Sequence, residues 1–253
     1  MAIVIDLTGK VALITGAGRG IGKAIAIALA QAGADVCVTA RTETQIQETA
    51  AEIRKMGHKA LAISGDATDE NVVPDIVART VAELGGLHIL INNAGMDLPK
   101  PLMATDCGEY DRIMDTNVKS IFMFTKAAAA HFITQKYGRI VNVASVAAFI
   151  AAPGQAIYHA SKAAVAHLTK ATAIELARYN INVNAVAPGW IRTDLISHLL
   201  GDEAMLAKYV KGIPLRRLGE TADVAPQVVF LCSDFASYMT GSVVVIDGGI
   251  MIP

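Results

Sequence analysis

The chain has 253 residues, is 53% hydrophobic and only 18% charged, and carries a net charge of −1. That balance excludes a disordered chain, which needs low hydrophobicity and high net charge. With no block of like charges it also excludes a nucleic-acid groove and a polybasic membrane patch.

No window offers the roughly 20 continuous apolar residues of a spanning helix. The nearest, Ile140 to Ser161, contains Asn142, Pro153, Gly154, Gln155 and His159. Met1 to Asp6 has neither a basic nor an apolar leader region, so no signal peptide is expected. Cys37, Cys107 and Cys232 are far apart and form no C-x-x-C, which predicts reduced thiols in a cytoplasmic protein and no metal site.

Along the chain, Val11 to Thr15 is an apolar run that stops in glycines. Gly20 to Ala32 follows as a helix, with Ile21, Ile25 and Leu29 four apart and Gly33 as its stop. Val36 to Ala40 is a second strand, and Thr42-Glu43-Thr44-Gln45 reads as a capping box opening a helix to Gly57. Leu61 to Ser64, His88 to Asn92, Arg139 to Val143, Asn182 to Val186 and Val243 to Asp247 are further strands separated by helical stretches. This alternation predicts an α/β fold, a doubly wound parallel sheet of about seven strands with helices on both faces. No linker divides it, so residues 1–253 are expected to form one domain. The longest non-periodic segment, 189–218, reads as a lid.

The loop after the first strand is Thr15-Gly16-Ala17-Gly18-Arg19-Gly20-Ile21-Gly22. A strand running through glycines into a helix N-terminus lets backbone approach a pyrophosphate, while free N–H groups and the helix dipole favour the anion. The G-x-G-x-x-G spacing is absent; T-G-x-x-x-G-x-G serves the same purpose, although a tight packing turn would read alike. An acid at the end of the second strand would select NAD. Here the end reads Val38-Thr39-Ala40-Arg41, and Arg19 in the glycine loop could reach the same phosphate, so NADP(H) is expected over NAD(H).

Tyr158-His159-Ala160-Ser161-Lys162 opens a later helix, and Tyr158 alone among the six tyrosines has a lysine four residues on. Positions i and i+4 share a face. A neighbouring cation lowers a phenol's pKa and makes it a candidate general acid or base. Ser145 follows the strand Arg139 to Val143, at the strand end where open sheets hold ligands. A loop-capping serine is the plainer reading of Ser145, and a helix-surface amide that of Asn117. His159 points about 100° away from Tyr158 on a helix and is expected at the surface or an interface.

Thr15-Gly16-x-x-x-Gly20-x-Gly22, Asn92-Asn93-Ala94-Gly95, Asn117, Ser145, Tyr158-x-x-x-Lys162 and Pro188-Gly189 stand in the order and spacing of the short-chain dehydrogenase/reductase family, which the chain resembles over essentially its whole length. The resemblance implies a single Rossmann-type domain, a nicotinamide cofactor and a catalytic tetrad of Asn117, Ser145, Tyr158 and Lys162. It places the cofactor along Gly16, Arg19, Gly20, Ile21, Gly22 and Arg41, with Asp66 and Ala67 at the adenine and Asn93, Ala94 and Gly95 along its length. Tyr158, Lys162, Pro188, Gly189, Ile191 and Thr193 would lie at the nicotinamide end. Tyr158 would protonate the oxygen of a ketone receiving hydride, Ser145 would bond that oxygen, Lys162 would depress the tyrosine pKa, and Asn117 would hold a water linking Lys162 to solvent.

The substrate is expected against Ser145, Gln155, Tyr158, Trp190 and Leu195, in an apolar lid that also contains Ile196, Leu199 and Leu200. The chain is similar to 3-oxoacyl-carrier-protein reductases and carbonyl reductases. The carrier-docking arginines of the former would fall at Ala130 and Ile174, neither able to pair with an acidic carrier. A sugar or polyol dehydrogenase, of gluconate type, is the alternative; a non-catalytic NADP-binding sensor is the third reading. The resemblance also implies a homo-oligomer, a tetramer, paired through the helices at Asn117 to Gln135 and Tyr158 to Tyr179.

Overall fold

The apolar runs pair side by side into one parallel sheet. In the computed structural model, which describes residues 4–196, 201 and 203–252, the strands are β1 (Val11–Thr15), β2 (Asp35–Ala40), β3 (Ala60–Ser64), β4 (Ile89–Asn92), β5 (Gly138–Val143), β6 (Ile181–Pro188) and β7 (Val243–Ile246). Their order across the sheet is β3-β2-β1-β4-β5-β6-β7. Successive side chains go to opposite faces: Ala12 and Ile14 of β1 enter one core and Leu13 the other, and Ile89 and Ile91 of β4 split likewise from Leu90. Burial on both faces explains why these strands are apolar throughout instead of alternating with polar residues.

Helices α1 (Gly20–Gln31), α2 (Glu43–Lys55) and α8 (Thr221–Cys232) cover the first core through Leu29, Ile46 and Val228. Helices α3 (Val72–Leu84), α5 (Ser120–Gln135) and α6 (Ala156–Leu176) cover the second through Ile76, Phe132 and Ala173. The short α4 (Cys107–Met114) runs into α5 through a π-helical turn, Asp115–Lys119. The capping box expected at Thr42 does not form: Thr42 stands at the N-cap of α2 without a side-chain cap. A box does form at Asp106 and Glu109, where each side chain bonds the other's backbone N–H.

The strand order reverses between β1 and β4, and a crevice for ligands opens at the carboxyl ends of such strands. Here the two ends are stapled. The Thr15 hydroxyl accepts from the Asn93 and Ala94 N–H groups, both at 2.9 Å, and Asn93 Nδ2 donates to the carbonyls of Thr15 (2.9 Å) and Gly16 (3.0 Å).

The 189–218 segment contains a 3-10 turn, Asp194–Ile196, and helix α7 (Glu203–Gly212). Ile196, Ile213 and Leu218 make a small core of their own beside Trp190, Leu206 and Tyr209. Leu199, Leu200 and the side chain of Leu195 lie outside the described residues. Among the described residues no helix is long and apolar enough to cross a membrane.

Candidate active site

The glycine loop has the shape an anion needs. Gly16 (φ +64°) and Gly20 (φ +57°) occupy left-handed backbone, a conformation that a side chain resists. A Cβ on Gly22 would stand 2.3 Å from the Gly16 carbonyl oxygen, so α1 packs hard against the end of β1. The N-terminus of α1 has no side-chain cap and no acid in its first turn. Its free N–H groups and positive dipole end are therefore open to a phosphate. Thr193 stands over Gly20, its Cγ2 3.5 Å from where a Cβ would be. The expected contacts at Gly16, Gly20, Ile21, Gly22 and Thr193 thus meet at one place. Ile191 does not join them by its side chain, which is buried against Gly219.

At the end of β2, Arg41 is exposed and lies near Asp66. Burial pushes the Asp66 carboxyl up, but hydrogen bonds from the Thr68 N–H and hydroxyl, with the Arg41 charge, hold it below the usual carboxylate range. Arg19 is exposed in the glycine loop. Its guanidinium is ion-paired at 3.0 Å with Asp194, across 175 residues, because that acid sits directly above the glycine loop.

Tyr158, Lys162, Ser145 and Asn117 converge at the end of β5. Lys162 is buried, lies 5.8 Å from the Tyr158 ring centre, and donates to the Val143 carbonyl at 2.9 Å. Burial lowers its pKa to about 8. Burial also pushes the Tyr158 phenol up to about 12, with a Ser145 hydrogen bond opposing and the Asp97 charge adding. Burial thus works against the depression expected from Lys162. Loss of solvation outweighs everything else at that hydroxyl, and the phenol is kept as a proton donor. Ser145 also caps a 3-10 turn by accepting from the Ala147 N–H at 3.1 Å, so the loop-capping reading holds as well.

Asn117 is fully buried within the π turn and is no surface amide. Its Oδ1 accepts from the Met96 N–H at 2.8 Å, and its Nδ2 donates to the Met96 carbonyl and the Ser161 hydroxyl, each at 2.9 Å. These bonds use both N–H groups of the amide, and Oδ1 keeps one lone pair beyond its bond from Met96. Gly95 lies against this cluster, its Cβ position 3.3 Å from Asn117 Oδ1 and 3.5 Å from Lys162 Nζ. The strip Asn93-Ala94-Gly95 therefore links the glycine loop to the tyrosine and lysine.

A family model described as enoyl-(acyl carrier protein) reductase matches residues 16–251. The chain is 40% identical over 241 residues, 95% of its length and 97% of the relative's, to the 3-oxoacyl-(acyl-carrier-protein) reductase FabG of Staphylococcus aureus. The chain belongs to the short-chain dehydrogenase/reductase family. Members of this family are oxidoreductases acting on CH–OH and C=O groups. Two solved short-chain dehydrogenases share its fold. A gluconate 5-dehydrogenase from Burkholderia cenocepacia J2315, in complex with NADP and tartrate, superposes with a TM-score of 0.95 at 34% identity over 98% of each chain. A 7α-hydroxysteroid dehydrogenase, complexed with NADH and 7-oxo glycochenodeoxycholic acid, does so at 0.94 and 36% identity over 97% of this chain and 95% of that one.

Two residues of this short-chain dehydrogenase carry site geometry that sequence reasoning missed. Asp97 accepts a hydrogen bond from Gln155, and its charge reaches both Tyr158 and Lys162. His159 is half-buried. Its Nδ1 meets the carbonyls of Ala147 (3.0 Å) and Ile150 (2.6 Å), tying α6 to the loop that carries Ser145. Neither contact has a short-range spacing that could have signalled it.

Proposed function

We propose that this protein reduces a ketone to a secondary alcohol with NADPH, Tyr158 acting as the proton donor. The observation that carries the reading is the placing of the Tyr158 ring 5.8 Å from the buried Lys162 ammonium, at the end of the strip that runs from the glycine loop. The loop fits a dinucleotide by its glycine backbone and uncapped helix, and the nicotinamide, when bound, supplies the hydride. Tyr158 passes its proton to the carbonyl oxygen as charge develops there, and Ser145 donates a hydrogen bond to the same oxygen. Lys162 stabilises the phenolate left behind, and Asn117 positions the Met96 segment. Alcohol oxidation reverses these steps.

Arg41 supports NADPH, since it stands exposed where an acid would select NAD. A cavity of about 250 Å³, lined by three prolines, Trp190 and Tyr209 together with Lys100 and Gln155, offers a mixed apolar and polar surface for a carbonyl compound. Ala130 and Ile174 are both exposed without offering a cation, which weighs against an acyl-carrier protein as partner. Phe122 and Ile174 are 53% and 81% exposed on α5 and α6, which supports association of subunits through these helices. Three free thiols support a reducing, cytoplasmic setting.

The test follows NADPH and NADH oxidation separately with a 3-oxoacyl ester, a bulky aryl ketone and a keto-sugar. NADPH is expected to be preferred, with the first two turned over faster than the third. A strong preference for NADH overturns the Arg41 argument; faster keto-sugar reduction moves the reading to the polyol dehydrogenase. Tyr158→Phe should cost about 10²- to 10⁴-fold in rate, and full activity in that variant overturns the proton-donor assignment.

A further inference from the structure

Ser145 stands at the N-cap of a 3-10 turn, Val146–Ala148. The turn's own backbone bonds use the carbonyls of Ser145 and Val146, which accept from the N–H of Ala148 (3.0 Å) and from those of Phe149 (2.9 Å) and Ile150 (3.1 Å). The carbonyls of Ala147 and Ile150 turn instead to one atom, Nδ1 of His159, at 3.0 and 2.6 Å. Carbonyls only accept, so the ring nitrogen between them carries a proton and donates to both as a three-centre bond. Val146 and Ala147 are buried, whereas Phe149 and Ile150 are exposed. Packing therefore holds the near end of the turn, and His159 holds the far end.

Ala147 is tied on both sides. Its N–H donates to the Ser145 hydroxyl oxygen at 3.1 Å, and its carbonyl accepts from His159. A hydroxyl has one proton and two lone pairs. With the Ala147 N–H on one lone pair, the Ser145 proton is turned away from that side. It is left to the Pro188 carbonyl at 3.5 Å and to the Tyr158 oxygen, with which Ser145 is hydrogen-bonded. A substrate oxygen that takes a proton from Tyr158 needs the Ser145 proton on that same side. Resting on the ketone-reductase reading above, we infer that His159 is a positioning residue: through Ala147 it fixes the direction in which the Ser145 hydroxyl donates. Helix α6 then carries the proton donor and, one residue on, the strut that aims the second donor at the same oxygen.

The test uses NADPH with ethyl acetoacetate and acetophenone. Each rate is divided by the number of NADPH-binding sites, counted by fluorescence titration, so that loss of folded enzyme cancels. His159→Leu removes the donor and should lower kcat about tenfold. The KM values for ketone and NADPH should stay within about twofold, since the Ser145 bond strengthens only as charge develops on the oxygen. His159→Asn carries its amide N–H on an atom bonded to Cγ, as Nδ1 is, and should recover kcat to within about threefold of wild type. His159→Gln sets its amide one bond farther out and should behave like His159→Leu, for which it stands in if that variant does not fold. In a Ser145→Ala background His159→Leu should change kcat by less than about twofold, because the group it aims is gone. Wild-type kcat in both His159→Leu and His159→Gln, equal losses in His159→Asn and His159→Gln, or an undiminished loss in the Ser145→Ala background would assign His159 to holding the loop alone and overturn the inference. Each of these leaves the reductase reading intact. A wild type that binds NADPH but reduces neither ketone overturns the reductase reading and the inference with it.

Discussion

The buried ammonium of Lys162 donates to the carbonyl oxygen of Val143 at 2.9 Å. A carbonyl is a hydrogen-bond partner but not a counter-charge, so it satisfies one N–H without offsetting the cost of burying the cation. That is why the pKa of Lys162 falls to about 8 even though Asp97 pulls it the other way.

A pH dependence follows, and its sign is set by which form each group holds. The Lys162 ammonium is present below about 8 and lost as pH rises through that value, whereas the Tyr158 phenol keeps its proton to about 12. Reduction needs both protonated forms. The kcat/KM profile should be level near neutrality and descend above about pH 8 on one group. A profile measured across that range that descends only near pH 12 would remove Lys162 from the mechanism. Lys162→Met should abolish the descent and lower the rate about 10²-fold or more.

Asn117 should matter for stability as well as rate. In Asn117→Ala the Met96 N–H and carbonyl each lose their side-chain partner in a part-buried place. Each orphaned group costs about 1–3 kcal/mol. Together they should lower the melting temperature by roughly 4–24 °C, at about 2–4 °C per kcal/mol for a chain of this size. Ser161→Ala removes one bond to the same amide and should cost less than half as much. Equal melting temperatures for Asn117→Ala and the wild type would contradict the clamp.

The two arginines near the cofactor site should now behave differently. Arg41→Ala should raise the KM for NADPH about tenfold or more and leave that for NADH nearly unchanged, as expected when a charge-assisted phosphate contact is lost. Arg19→Ala breaks the exposed pair with Asp194 and should weaken both dinucleotides alike. Asp194→Asn, which frees Arg19 without removing it, separates the two effects: if that pair restrains Arg19, both dinucleotides should bind more tightly in this variant. Steady-state kinetics with each dinucleotide decides.

Part of this site was legible in the sequence because its signals are local. The apolar run Val11 to Thr15, the glycines after it, and Tyr158 and Lys162 one helical turn apart are short-range patterns that the backbone turns directly into geometry. The Asp97–Gln155 bond spans 58 residues and the Arg19–Asp194 pair 175, and both depend on where loops travel, which no periodicity encodes. Asn117 read as a surface amide because its helix pattern gave no sign of the π turn that rotates it inward. The surroundings of Tyr158 are non-local in the same way. Spacing reveals the neighbouring cation but not the depth of burial, and burial is the larger effect.

The staple between β1 and β4 offers the sharpest test of how the sheet serves the site. Thr15→Val keeps the shape and β-propensity of the residue but deletes the oxygen that accepts from Asn93 and Ala94. Two N–H groups at the switch point would then lack a partner, at a cost of about 1–3 kcal/mol each. Released from the end of β1, the strip Asn93-Ala94-Gly95 would no longer lie fixed between the glycine loop and Lys162, so dinucleotide affinity should fall with stability. Thr15→Ser retains the hydroxyl and should keep most of both. Fluorescence titration with NADPH alongside thermal melts separates the cases: parallel losses in Val but not Ser support the staple, while equal behaviour of Val and Ser would assign Thr15 to packing alone.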